Sequence, residues 1–121
     1  MNNRYVYVAG PYSAPTKEER QKNVKKAEEA GKMLLTLGYV PIIPHKITSH
    51  WDEDERFLDF GSSDWLERFC FPLLDLCDRV YMVEGWQESK GALAEYGYAL
   101  AKDKKIYQHP NRPLSYSMLV L

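Results

Sequence analysis

The chain has 121 residues, a length that predicts one domain, and its balance of 45% hydrophobic and 27% charged residues excludes a disordered chain and a collagen-like repeat. Sixteen Lys plus Arg against seventeen Asp plus Glu leave a formal charge of −1, so no basic surface announces nucleic acid. Apolar runs end after a few residues, short of the ~20 of a membrane helix, and no signal peptide is visible, so a single cytoplasmic domain over residues 1–121 is expected.

Tyr5-Val6-Tyr7-Val8-Ala9 is β-branched and aromatic, and Gly10-Pro11 stops it, which predicts a short buried strand. After the loop Tyr12-Ser13-Ala14-Pro15, Thr16 and Glu19 have the spacing of a capping box. The helix predicted behind them turns Val24, Ala27, Gly31 and Leu34 inward and ends at Gly38. Tyr39-Val40-Pro41-Ile42-Ile43 reads as a second strand, placed at a sheet edge because Pro41 has no N–H to donate.

Residues 45–62 are polar and carry the acidic run Asp52-Glu53-Asp54-Glu55; so long a connection in a small domain is more often functional than idle. Leu66, Phe69, Cys70, Leu73, Leu74 and Cys77 then recur at helical intervals, with a kink or restart expected at Pro72. Arg79-Val80-Tyr81-Met82-Val83 is the third predicted strand. Ser89 to Lys102 is a helix with Leu93, Tyr96 and Leu100 expected inward, and Lys105-Ile106-Tyr107-Gln108 is a fourth strand. The apolar tail Leu114–Leu121 is expected to form a fifth strand or a subunit contact.

Strands alternating with helices imply right-handed β-α-β units. The expected fold is therefore a three-layer α/β sandwich of the flavodoxin or Rossmann-like kind, with a parallel sheet of four to five strands in the order 2-1-3-4. Such sheets bind ligands beyond the carboxyl ends of the strands where the winding reverses, here the first and third. Their loops, Gly10-Pro11-Tyr12-Ser13 and Glu84-Gly85-Trp86-Gln87-Glu88-Ser89-Lys90-Gly91, are thus expected side by side.

Ser89 stands where the second of these loops becomes a helix, with Gly91 two residues on. Free N–H groups at a helix start favour an anion, although Ser89 also suits a plain N-cap. Neither G-x-G-x-x-G nor a P-loop motif is present. Glu95 points roughly the same way as Ser89 and Gly91, either as a nucleophile or base beside that site or as a solvated helix glutamate. Tyr7 is either a core tyrosine or the hydroxyl that orients Glu95. Asp64, with Glu67 three residues on, fits an N-cap, or alternatively a second pocket carboxylate. His45 and His50 have no metal-ligand spacing with a carboxylate pair, so neither a metal nor another cofactor is assigned. Cys70 and Cys77 read as small buried hydrophobes.

These residues resemble the nucleoside 2-deoxyribosyltransferase-like superfamily, and most closely its small bacterial and phage branches. The likeness is carried by Val6-Tyr7-Val8-Ala9-Gly10-Pro11-Tyr12-Ser13, by Asn23 and Ala27, by Gly38 before a strand ending in Pro44, by Cys77-Asp78-Arg79-Val80, by Gly85-Trp86 and by Ser89-Lys90-Gly91-Ala92-Leu93-Ala94-Glu95. It implies that Glu95 attacks the anomeric carbon of a nucleoside sugar, that Tyr7 positions it, and that Ser89 and Gly91 hold the sugar's 5′ end. Superfamily members acting on free nucleosides carry aspartate at the Ser89 position, whereas 5′-monophosphate N-glycosidases carry serine. Serine there points to a nucleoside 5′-monophosphate, since a hydroxyl donates to phosphate where a carboxylate repels it.

A further pocket aspartate of the superfamily falls near Cys70 in this sequence, and Asp64 is taken as its substitute. The resemblance also implies base or sugar contacts for Gly10, Pro11, Tyr12, Ser13, His45, Gly85 and Trp86, and a homodimer or higher homo-oligomer. The expected activity is N-glycosidic bond cleavage in a nucleotide. A deoxyribosyltransferase and a non-catalytic nucleotide-binding module are the alternatives.

Overall fold

The computed structural model describes residues 3–49, 51, 54–108 and 112–113, and the structural statements below concern these. Strands β1 (Tyr5–Ala9), β2 (Val40–Ile42), β3 (Arg79–Met82), β4 (Lys105–Gln108) and β5 (Arg112–Pro113) form one sheet in the order β2-β1-β3-β4-β5. The first four run parallel in the predicted 2-1-3-4 order, and β5 returns antiparallel on β4. The expected fifth strand over Leu114–Leu121 lies outside the described residues, as do His50 and the Asp52-Glu53 half of the acidic run.

Alternation along β1 divides the core between the two faces of the sheet. Val6 and Val8 join Ala27 and Leu34 of α1 (Lys17–Thr36) on one side, with Tyr81 and Tyr107 from β3 and β4. Tyr7 and Ala9 face the other side, against Leu74 and Cys77 near α4 (Phe71–Asp75) and Ala92 and Ala99 of α5 (Lys90–Ala101). This is the expected α/β sandwich, a parallel sheet flanked by helices.

The predicted pair forms the N-cap: Thr16 Oγ1 accepts from Glu19 N and donates to Glu19 Oε1, both at 3.1 Å. Gly38 ends the α1 connection at φ +92°, a left-handed conformation that suits glycine. The connection after β2 contains α2 (Pro44–Thr48) and a 3₁₀ turn over Glu55–Phe57. It also gathers the rings of Trp51, Phe57, Phe60, Trp65 and Phe69 into one aromatic cluster. Then α3 (Ser62–Trp65) runs through a π turn, Leu66–Cys70, into α4. Phe71 N–H reaches back to Leu66 O and Pro72 has no N–H to offer, so the helix widens before Pro72 and restarts around it.

One expectation is reversed. The inward face of α5 is Ala92, Glu95 and Ala99, while Leu93 and Leu100 are each 44% exposed; only Tyr96 of the expected trio packs against the core. Small residues bring α5 close to the sheet, and leucines on that face would not fit beneath it. No described helix is long and apolar enough to cross a membrane.

Candidate functional site

The parallel pairing of β1 with β3 carries directly into their loops. Val83 N donates to Ala9 O at 2.7 Å, and a Cβ on Gly10 would stand 2.7 Å from Val83 Cβ. Glycine at position 10 is what lets the two chains stay in contact beyond the sheet. Gly85, at φ +90°, continues the contact, since its Cβ position lies 3.5 Å from Pro11 Cγ. The two loops meet where the strand order predicts.

Two further elements hold the first loop. From α1, Asn23 Nδ2 donates to Tyr12 O and Arg20 Nη1 to Ala14 O, each at 3.1 Å. From α2, the buried His45 places Nε2 3.2 Å from Gly10 O and 3.0 Å from Pro11 O. Two carbonyl oxygens at one ring nitrogen require the proton there, which leaves Nδ1 as an acceptor. That Nδ1 is buried and has no hydrogen-bond partner. Burial holds the imidazole below its ordinary pKa against the opposing pull of the Pro11 and Gly10 carbonyls, so the ring is kept neutral. His45 thus binds backbone, and the ring of Tyr12 meets it edge-on at 5.7 Å.

The Tyr7–Glu95 pair lies under the first turns of α5. Ser89 caps the helix, its Oγ accepting from Ala92 N at 3.2 Å, and Gly91 leaves the first turn open. Glu95 does not project into solvent. It is buried to 6% exposure against the sheet, where the fully buried Tyr7 hydroxyl donates to its Oε2. Burial pushes the Glu95 carboxyl up to about 7, against the lowering effect of the Tyr7 hydrogen bond. The same burial, together with the Glu95 charge, raises the Tyr7 phenol well above its usual range, so it remains a hydrogen-bond donor.

Sequence reasoning missed a third residue beside this pair. Cys70, at the end of the π turn, is half-buried against the cluster that contains Tyr7. Burial and then the Glu95 charge push its thiol up to about 11. The signal for it lay in the resemblance, which puts a pocket aspartate near Cys70. Asp64, the expected substitute, instead accepts Gly61 N at 2.9 Å and closes its own turn inside α3. As an N-cap it is displaced too, since α3 begins at Ser62.

The remaining predicted contacts divide. Ser13 is exposed at the loop surface, and Gly85 is half-buried at the loop junction. Trp86 is 7% exposed, packs on Tyr96 at a centroid distance of 5.0 Å and donates Nε1 to Gln108 Oε1 at 3.4 Å. Its ring is part of the core under α5. Asp78 accepts the backbone N–H of Asn3, the structural role its place before β3 suggests. Among the described residues, no three His, Cys, Asp or Glu side chains gather as a metal site would require.

No curated protein and no solved structure matches the chain. A family model does match, over residues 4–108, which includes every element from β1 to β4 and all of the site above. The chain belongs to the family described as a domain of unknown function, DUF4406.

Proposed function

We propose that the protein cleaves the N-glycosidic bond of a nucleoside 5′-monophosphate through a glycosyl–Glu95 intermediate. The observation that carries this is the buried Glu95 carboxylate, aligned by the Tyr7 hydroxyl beneath the N-terminus of α5. A retaining glycosidase uses a carboxylate fixed in direction as its nucleophile; Glu95 is desolvated, aligned by Tyr7 and ionised above about 7. One Glu95 oxygen attacks C1′ and the base departs with the C1′–N electron pair. Water then attacks C1′, the C1′–Glu95 ester bond breaks to free the carboxylate, and the proton released by the water balances the anionic base. The phosphate sits at the Ser89–Gly91 helix start, far enough from C1′ for its binding energy to position the sugar for attack. The superfamily likeness supports the same assignment, and with it a homo-oligomer acting on a small cytoplasmic nucleotide.

The test is chromatography for free base after incubation with nucleosides and nucleoside 5′-monophosphates. Monophosphates alone should release base, and Glu95→Gln should lower the rate by on the order of 1,000-fold or more. Ser89→Asp keeps a capping oxygen, so it should fold normally while losing about 100-fold of activity on monophosphates through charge repulsion. Release only on addition of a second base would make the protein a transferase. Binding without release would make it a nucleotide-binding module, a reading favoured by the thiol that stands beside Glu95 in place of a second carboxylate.

A further inference from the structure

An N-glycosidase has to manage the electrons that the departing base carries away. A neutral base leaves as an anion unless a proton reaches it, and a positioned acid commonly contributes about 100- to 10,000-fold there. Among the described residues, three of the side chains considered for the site already have partners within the protein. The Tyr7 hydroxyl donates to Glu95 itself. The His45 Nε2–H is held by the Gly10 and Pro11 carbonyls at 3.2 and 3.0 Å. The Asp64 carboxylate accepts the Gly61 N–H at 2.9 Å. Cys70 offers a thiol that burial and the Glu95 charge hold protonated up to about 11.

Glu95 shows the complementary deficit. It is a buried carboxylate whose hydrogen-bond partner is a neutral phenol, and the ion pairs of the described residues do not include it. A buried anion without a cation is costly, and the protein answers by holding Glu95 protonated up to about 7. A positive charge brought into the pocket would ionise Glu95 and attract it in one event.

We infer that the substrate itself brings this charge: its base is a cationic N-glycoside, such as a ring-alkylated purine or a pyridinium, which leaves as a neutral molecule without being protonated. This rests on Glu95 being the nucleophile. The electron balance closes without an acid. A Glu95 oxygen forms the bond to C1′, the C1′–N bond breaks, and its electron pair cancels the positive charge on the ring nitrogen. Water then forms the new C1′–O bond, the C1′–Glu95 ester bond breaks, and one proton from that water passes to solvent.

The experiment compares base release from N7-methylguanosine 5′-monophosphate and nicotinamide ribonucleotide with release from guanosine and uridine 5′-monophosphates. The guanine pair is tested with both ribose and 2′-deoxyribose. Glu95→Gln protein in parallel gives the spontaneous rate to be subtracted. We expect at least one cationic nucleotide to be cleaved about 100-fold faster than either neutral one, by the contribution a general acid would otherwise make. Neutral nucleotides cleaved within about ten-fold of the better cationic one would overturn this inference, because an acid must then serve the leaving base; the glycosidase reading would stand. Absence of Glu95-dependent release from every nucleotide would overturn both.

Discussion

At the scale of single residues, the burial of Glu95 makes stability depend on pH. In the unfolded chain its carboxyl titrates near 4.5, and in the folded protein near 7. Between these values the folded state holds a proton that the unfolded state has lost, so stability falls as pH rises. Below 4.5 the contribution is fully present, and above 7 the penalty is complete, at about 3 kcal/mol. Glu95→Gln should therefore melt several degrees higher than the parent at pH 8, with a flatter pH dependence between 5 and 7, measured by thermal denaturation across pH. Activity should move the opposite way, rising through about 7 as the carboxylate ionises. The Tyr7–Glu95 pair was assigned by the family resemblance and not by the helical period, which left Glu95 open as a solvated glutamate and set Leu93 and Leu100 inward instead. Cys70 was not foreseen, since its approach depends on a π turn and helical spacing assumes regular winding.

At the scale of elements, α5 carries the clearest lesson. Ranking its residues by hydrophobicity sends Leu93 and Leu100 inward, yet the buried face is two alanines and a glutamate. Packing depth decided the orientation: a helix that must place a carboxylate against Tyr7 lies close to the sheet, and only small side chains fit beside it. Leu100→Gln should accordingly change stability by less than about 0.5 kcal/mol, as at a surface position. Ala99→Leu should cost about 1–3 kcal/mol through overpacking, although it adds hydrophobic surface. Urea titrations of the two variants distinguish the orientations, since leucines packed inward would reverse the ranking. Other elements were legible because their signals are local: the Thr16–Glu19 cap, the left-handed Gly38 and the restart at Pro72 each depend on neighbours in sequence. Asp64 was misplaced by the same kind of signal, as a capping pattern does not say which turn begins the helix.

At the scale of the whole molecule, the strand order followed from alternation alone, and it brought the two glycine-bearing loops together. Among the described residues the sheet has an unpaired edge at β2, and the backbone there has a direction. Val40 N donates inward to Arg4 O at 2.8 Å, so the alternation of the strand turns the nitrogen of Pro41 outward. That nitrogen carries no hydrogen. The central residue of the edge thus has no donor for an approaching strand, a common protection against edge-to-edge pairing. Pro41→Val restores the donor, and it should aggregate faster than the parent in light scattering at matched concentration while melting within a few degrees of it. Seen from a neighbouring copy, β2 is a closed border. Continuing the sheet from one molecule into the next across β2 is therefore disfavoured in any symmetric assembly of this protein.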